Sequence, residues 1–257
     1  MSNTINDKVV LITGSAVRVG ADIARYFAAN GWQVIVHCNS SRAAGEKLVQ
    51  ELLAISPGHH LIVQDLLEKD AAEKLLTEAA KLAGSVSLLI NNASLYSRSS
   101  LLETSIEDLL KAYQINFFVA FELMRQFALR YKKGCIINML DQRIATVDPA
   151  AGAYAFAKKS LKDATKACAL EWAPEIRVNA VAPGIVMPPP GIKKPDGIEK
   201  LKKNIPLQKI VKTQELAEAC LFLANAENIS GQIIYVDGAM NLTGQRTKEP
   251  NIKISYQ

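Results

Sequence analysis

The feature that most constrains this chain is an alternation, kept from residue 9 to residue 236, between short β-branched runs and longer amphipathic stretches. The runs are Val9–Thr13, Gln33–His37, His60–Gln64, Val86–Asn91, Cys135–Met139, Arg177–Val181 and Gln232–Val236. Several are apolar almost throughout, which suits strands of a parallel sheet covered on both faces. Helix-like periodicity fills the intervals near 20–30, 42–55, 69–83, 105–131, 152–173 and 213–225. Alternation of this kind builds right-handed crossovers around one parallel sheet. The expected class is therefore α/β, with about seven parallel strands and helices on both faces.

A doubly wound domain of the Rossmann type uses the whole of such a length, and no composition break suggests a linker, so residues 1–257 read as a single domain. One stretch, Pro183–Pro206, is rich in Pro, Gly and Lys and lacks periodicity. It follows the sixth strand, where such a sheet opens its crevice, so residues 185–205 are expected to form a substrate-binding loop or lid. Residues 244–257 read as a polar tail. The net charge of +5 comes from basic residues that are spread out, which argues against a nucleic-acid partner and suits a small anionic ligand. With no apolar run long enough to span a bilayer and a polar segment at 1–8, the expected setting is the cytoplasm, with no membrane partner. Cys38, Cys135, Cys168 and Cys220 are far apart and read as free thiols. His37, His59 and His60 lack ligand spacing with other candidates, so no metal site is expected.

Thr13-Gly14-Ser15-Ala16-Val17-Arg18-Val19-Gly20 lies directly between the first strand and the first helix. Glycines at both ends let the backbone turn tightly and let a pyrophosphate approach the helix N-terminus, where N–H groups and the dipole favour anions. An NAD enzyme places an acid about 20 residues beyond the glycines to bond the ribose hydroxyl. Here the second strand ends in His37-Cys38-Asn39-Ser40-Ser41-Arg42, with no acid before Glu46. Hydroxyls, an amide and arginines, with Arg18 in the neighbouring loop, suit a 2′-phosphate instead, and the expected cofactor is NADPH/NADP. Asp65 with Leu66, and Asn92 with Ala93, follow the third and fourth strands, where the crevice opens.

Tyr154-Ala-Phe-Ala-Lys158 puts a phenol and an amine one helical turn apart on one face. A lysine cation beside a tyrosine stabilises the phenolate and brings its pKa toward the working range of an acid–base catalyst.

Together these residues resemble the short-chain dehydrogenase/reductase family, from about Lys8 to Leu242. The matching positions are the Gly14–Gly20 turn, Asp65, Asn91-Asn92-Ala93, Asn116, Tyr154, Lys158, Pro183-Gly184 and the segment Ser230–Gly238. The resemblance implies that Asp141, Tyr154, Lys158 and Asn116 are catalytic, with Lys158 also on the nicotinamide ribose and Asn116 holding a water in a proton relay. It implies that the cofactor is held by Gly14, Arg18, Val19, Gly20, His37, Asn39, Ser40, Ser41, Asp65, Leu66, Asn92, Ala93, Tyr154, Lys158, Pro183 and Gly184. A homotetramer built from the helices near 105–131 and 152–173 is implied as well.

The departures from the family pattern narrow the substrate. Most members carry a serine 13 residues before the tyrosine; here that position is Asp141. A carboxylate opposes the negative charge that develops on a carbonyl oxygen and suits a substrate with N–H donors or a ring nitrogen. The family glycine in the middle of the first turn is Arg18, the motif after the fourth strand reads Asn91-Asn92-Ala93-Ser94 with Tyr96 two residues on, and no threonine follows Pro183-Gly184. All four features are similar to the pteridine reductases and related dihydropterin and dihydrofolate reductases within the family. That similarity implies a pterin or folate substrate contacted by Arg18, Ser94, Tyr96, Asp141, Tyr154 and Gly184, its ring stacked on Tyr96. The alternatives are a carbonyl reductase or alcohol dehydrogenase for a sugar, steroid or 3-oxoacyl substrate, and a non-catalytic NADP-sensing protein. Lysines at 193, 194, 200, 202 and 203 read as a solvated face, or else as a lure for a carboxylated substrate tail.

Overall fold

A computed structural model describes residues 8–186, 199 and 201–245. Seven strands form one all-parallel sheet: β1 (Val9–Ile12), β2 (Gln33–Cys38), β3 (His60–Val63), β4 (Leu88–Asn91), β5 (Gly134–Met139), β6 (Ile176–Pro183) and β7 (Ile233–Val236). Their order is β3-β2-β1-β4-β5-β6-β7. The connecting helices are α1 (Arg18–Ala29), α2 (Arg42–Leu53), α3 (Ala71–Ala83), α4 (Ile106–Tyr113), α5 (Val119–Tyr131), α6 (Gly152–Glu171) and α7 (Thr213–Asn225). The α/β doubly wound architecture with seven parallel strands is that read from the sequence.

The apolar runs are explained by two core layers, one on each face of the sheet. Val9, Leu11, Ile35, Leu89, Ile136 and Val178 point to the layer covered by α3, α5 and α6. The residues between them in each strand, among them Val10, Ile12, Val34, Val36, Ile90 and Ile137, point to the layer covered by α1, α2 and α7. With both faces buried, neither parity of a strand can be polar, so the period-two signature of a half-wet strand is absent.

The order of strands reverses between β1 and β4, which sit side by side with Ile12 opposite Ile90. Chains leaving neighbouring strands at this point go to opposite faces and open a crevice beyond the carboxyl ends. Gly14, Asn92, Asp141 and Gly184 follow β1, β4, β5 and β6, so the topology alone gathers the sequence-predicted residues at one edge.

The stretch 105–131, expected as one helix, is interrupted by a π-helical turn over Gln114–Phe118. Within this turn the Asn116 side chain reaches back, its Nδ2 donating to the Ala112 carbonyl at 2.9 Å. The turn also aims Asn116, which is buried, at the loop after β4.

Candidate active site

The turn after β1 is held from three sides. Gly14 sits at φ +62°, and its N–H donates to His37 Nδ1 at 3.1 Å. Ser15 donates its N–H to the His37 carbonyl at 2.8 Å and its hydroxyl to the Ile12 carbonyl at 2.7 Å. From the β4 side, Asn92 Nδ2 donates to the carbonyls of Thr13 and Gly14, at 2.9 and 3.0 Å. Thr13 Oγ1 accepts the N–H groups of Asn92 and Ala93, each at 3.0 Å. A Cβ at Gly20 would lie 2.6 Å from Asn92 Nδ2 and 2.7 Å from the Gly14 carbonyl oxygen, so the turn is packed to the limit the backbone allows.

The residues of this turn fit the pyrophosphate of a dinucleotide. Val17, the residue preceding α1, offers no side-chain cap, and the first turn of α1 has no acid. Its N–H groups and the positive end of the helix are thus left for an anion. Arg18 is exposed and held at φ +56°, a left-handed conformation that costs a non-glycine residue about 1 kcal/mol. At the end of β2, Asn39 and Ser40 are exposed and no acid intrudes, while Arg42 pairs with Glu46 at 3.5 Å on the surface. Leu66 is buried beside Asp65, whose carboxylate accepts the Leu67 N–H at 2.9 Å. Gly184 continues β6 with its N–H on the Val236 carbonyl at 2.9 Å, and a Cβ there would meet Asp237 Cα at 2.7 Å.

His37, expected among the cofactor-binding residues, adjoins the glycine turn. The ring is buried beneath the turn with Nδ1 accepting from Gly14 and Nε2 at 3.0 Å from the Gln64 carbonyl. With Nδ1 an acceptor, Nε2 carries the hydrogen and donates, so the imidazole is neutral. Burial lowers its pKa to about 4, against the opposing effects of the Gln64 hydrogen bond and the Asp65 charge. His37 thus supports the glycine turn from below.

Across the crevice, α6 carries Tyr154 and Lys158, both buried. The Tyr154 hydroxyl donates to Asp141 Oδ2 at 3.3 Å. Tyr96 meets the Tyr154 ring edge-on, with centroids 4.9 Å apart. Asn116 Oδ1 accepts the Ser94 hydroxyl at 2.7 Å and the Leu95 N–H at 3.1 Å, fixing the loop that carries Ser94 and Tyr96. Ser94, Tyr96, Asn116, Asp141, Tyr154 and Lys158 are thus brought together as the sequence suggested.

The electrostatics differ from the sequence expectation. Burial pushes the Tyr154 phenol well above its ordinary pKa, and the Asp141 charge adds to this, while Ser94 and Arg143 pull the other way. Lys158 is not among the groups that pull the phenol down. Its Nζ donates to the Met139 carbonyl at 2.7 Å and stands 5.9 Å from the Tyr154 ring centroid. Burial lowers Lys158 itself to about 8, with Asp141 opposing. A protonated phenol is the correct form for giving a proton in a reduction. Because Lys158 loses its charge as pH rises through about 8, kcat/KM for the cofactor, which reports groups of the free enzyme, should fall above that pH. A profile flat from pH 7 to beyond 9 would contradict this assignment.

Arg143 and Asp148 were not anticipated. Arg143 Nη1 lies 3.1 Å from both Asp141 oxygens, and its Nε donates to Asp148 Oδ2 at 2.9 Å. Its guanidinium carbon sits 5.3 Å from the Tyr96 ring centroid. The available signal was the Asp141-x-Arg143 spacing, which one sequence cannot separate from surface charge. Thr13 was also missed as a ligand of the glycine turn. Among the described residues no cluster suited to a metal ion occurs, and no helix is long and apolar enough to cross a membrane.

A parallel sheet with a glycine turn at its switch point, faced by a buried tyrosine and lysine from one helix, defines a dinucleotide-dependent oxidoreductase. Residues 14–241 match the family model described as enoyl-(acyl carrier protein) reductase, and the chain belongs to the short-chain dehydrogenase/reductase family. The 3-oxoacyl-(acyl-carrier-protein) reductase of Staphylococcus epidermidis is 29% identical over 241 residues, covering 91% of this chain and 99% of the relative. Glucose 1-dehydrogenase of Gluconobacter oxydans is 30% identical over 251 residues, with 92% and 93% covered. Among solved structures, FolM alternative dihydrofolate reductase 1 from Brucella canis, complexed with NADP, superposes with a TM-score of 0.86 at 27% identity, covering 98% of this chain and all of that one.

Proposed function

We propose that this protein is an NADPH-dependent reductase of pterins or folates, taking a dihydropterin or dihydrofolate to the tetrahydro form. The observation that carries the reading is the hydrogen bond of 3.3 Å from the Tyr154 hydroxyl to Asp141, where the family norm is a serine. The likeness to a dihydrofolate reductase solved with NADP supports the same substrate class and cofactor. NADPH, held by the glycine turn, would supply the hydride that reduction of a ring C=N bond requires. Tyr154 gives its proton to the adjacent ring nitrogen, so that hydride and proton together complete the reduction. Asp141 orients the phenol, Lys158 holds the nicotinamide ribose and restores the proton, and Tyr96 and Ser94 flank the ring.

Arg18 serves the cofactor phosphates in this account, which explains why a strained conformation is kept at a position suited to glycine. Arg18→Gly is expected to raise stability by about 1 kcal/mol, a Tm gain of about 2–4 °C, through relief of that strain. The same change should weaken NADPH binding about tenfold through loss of a charge-assisted contact. Calorimetry and a fluorescence titration of NADPH read the two effects, and a variant unchanged in cofactor affinity would remove Arg18 from the site.

The lysine stretch does not add to the case. Lys202 pairs with Glu199 at 2.6 Å, and the lysines at 193, 194 and 200 lie outside the described residues, as does most of the expected 185–205 loop. A homotetramer through α4, α5 and α6 stands as part of the proposal, supported by the exposed Leu110, Phe118, Phe121 and Phe156.

A second reading, a carbonyl reductase, is favoured by one observation. Arg143 neutralises Asp141, so the carboxylate opposes a developing oxyanion less than it would alone. The 3-oxoacyl reductase and sugar dehydrogenase relatives are compatible with it. Inhibition separates the two. A 2,4-diaminopteridine antifolate should compete with substrate in a pterin reductase, whereas indifference to it would favour the carbonyl reading.

A further inference from the structure

Arg143 is bound more firmly than a surface arginine of a short loop has reason to be. Its backbone N–H donates to Asp141 Oδ1 at 2.8 Å, opening the short 3-10 turn Gln142–Ile144. Its guanidinium then turns back on the same carboxylate, engages Asp148 and covers Tyr96, and its side chain is only 22% exposed. Asp148 in turn accepts the Ala150 N–H at 3.2 Å and lies 3.9 Å from the guanidinium of Arg98. The two loops on which these groups sit also join through backbone, with Ser99 donating its N–H to the Ala150 carbonyl at 3.1 Å.

The geometry therefore ties Tyr154, Asp141, Arg143, Asp148 and Arg98 into one chain that crosses from the loop after β5 to the loop after β4. Without the Arg143 guanidinium, Asp141 would keep the backbone N–H on Oδ1 and the nearby charge of Lys158 but would lose the paired contact that holds both of its oxygens. A planar guanidinium bonded to two carboxylates and lying over an aromatic ring is suited to this task, whereas an ammonium cannot make the same paired contacts. We propose that Arg143 is a positioning residue for catalysis, holding Asp141 in register with the Tyr154 hydroxyl and fastening the two loops into a single wall of the substrate crevice. The inference depends on the pterin reading only for the choice of assay substrate.

The test uses the full chain saturated with NADPH, in wild-type form and as Arg143→Ala, Arg143→Lys and Asp148→Asn. Turnover of Arg143→Ala should fall about 30-fold, as expected for stripping the partner from a half-buried charge, with NADPH affinity within about twofold of wild type. Added guanidinium ion at low millimolar concentration should restore part of that loss in Arg143→Ala and none in Asp141→Ser. Arg143→Lys and Asp148→Asn should fall between wild type and Arg143→Ala. Amide hydrogen exchange should quicken in Arg143→Ala within both 94–104 and 141–151, a result independent of any substrate. Unchanged turnover and exchange would overturn the proposal. So would a loss that guanidinium leaves untouched and that NADPH affinity shares, since that is the mark of general unfolding. If the wild type reduces ketones and no pterin, the substrate reading fails, and the ratio of variant to wild type on the ketone decides the role of Arg143.

Discussion

Tyr154→Phe is expected to lower turnover about a thousandfold while leaving NADPH affinity and Tm close to wild type. The ring of Tyr154 is packed edge-on against Tyr96, and a phenylalanine keeps that contact and the burial. What is removed is one hydroxyl, the group placed to deliver a proton beside Asp141. Asp141 keeps the Arg143 ion pair at 3.1 Å, so the substitution leaves no lone carboxylate behind. The effect therefore belongs to kcat and not to folding, and steady-state kinetics beside a cofactor titration will show the separation. A loss under tenfold would mean that the proton comes from elsewhere.

Acid should destabilise the fold through His37. Its pKa is about 4 in the folded protein against an ordinary value of 6.5. Above pH 6.5 the imidazole is neutral in both states and its contribution to stability is complete. Between 6.5 and 4 the unfolded chain takes up a proton that the folded chain refuses, so stability is lost as pH falls across that window, by about 3 kcal/mol at most. Burial is the leading cause, and a protonated Nδ1 would also lose the Gly14 N–H. His59 and His60 are lowered by burial in the same direction and are common to both proteins under comparison. Urea unfolding of wild type and His37→Gln should give a visibly flatter dependence on pH in the variant, because glutamine can accept and donate without titrating. Equal slopes would place the acid sensitivity at other groups.

Much of the fold was legible in the chain because burial on both faces leaves whole strands apolar. Val9–Thr13 and Cys135–Met139 mark their strands to within a residue. The π turn at Gln114–Phe118 was not legible, because no change of hydrophobic period marks it in the sequence. At the site, Gly14, Gly20, Tyr154 and Lys158 could be named because each chemistry has a characteristic spacing, and Asp141 because it stands where the family that the chain resembles carries a serine. Arg143 could not, since its meaning lies in contacts to Asp148 and to Tyr96 on a different loop. His37 was identified as a residue of the cofactor region, yet whether a strand-end side chain faces the ligand or supports the turn depends on how β2 meets β1. The sign of the Tyr154 shift also needed the structure, because a lysine one turn away on a helix can point its ammonium at another acceptor.

The most direct measurement is the loss of NADPH absorbance when dihydrobiopterin or dihydrofolate is added to the purified protein, with Asp141→Ser measured alongside. Turnover by the wild type, sharply reduced in Asp141→Ser, is the result this account predicts. Oxidation of NADPH with ketones or aldehydes, and none with either pterin or folate, would contradict it.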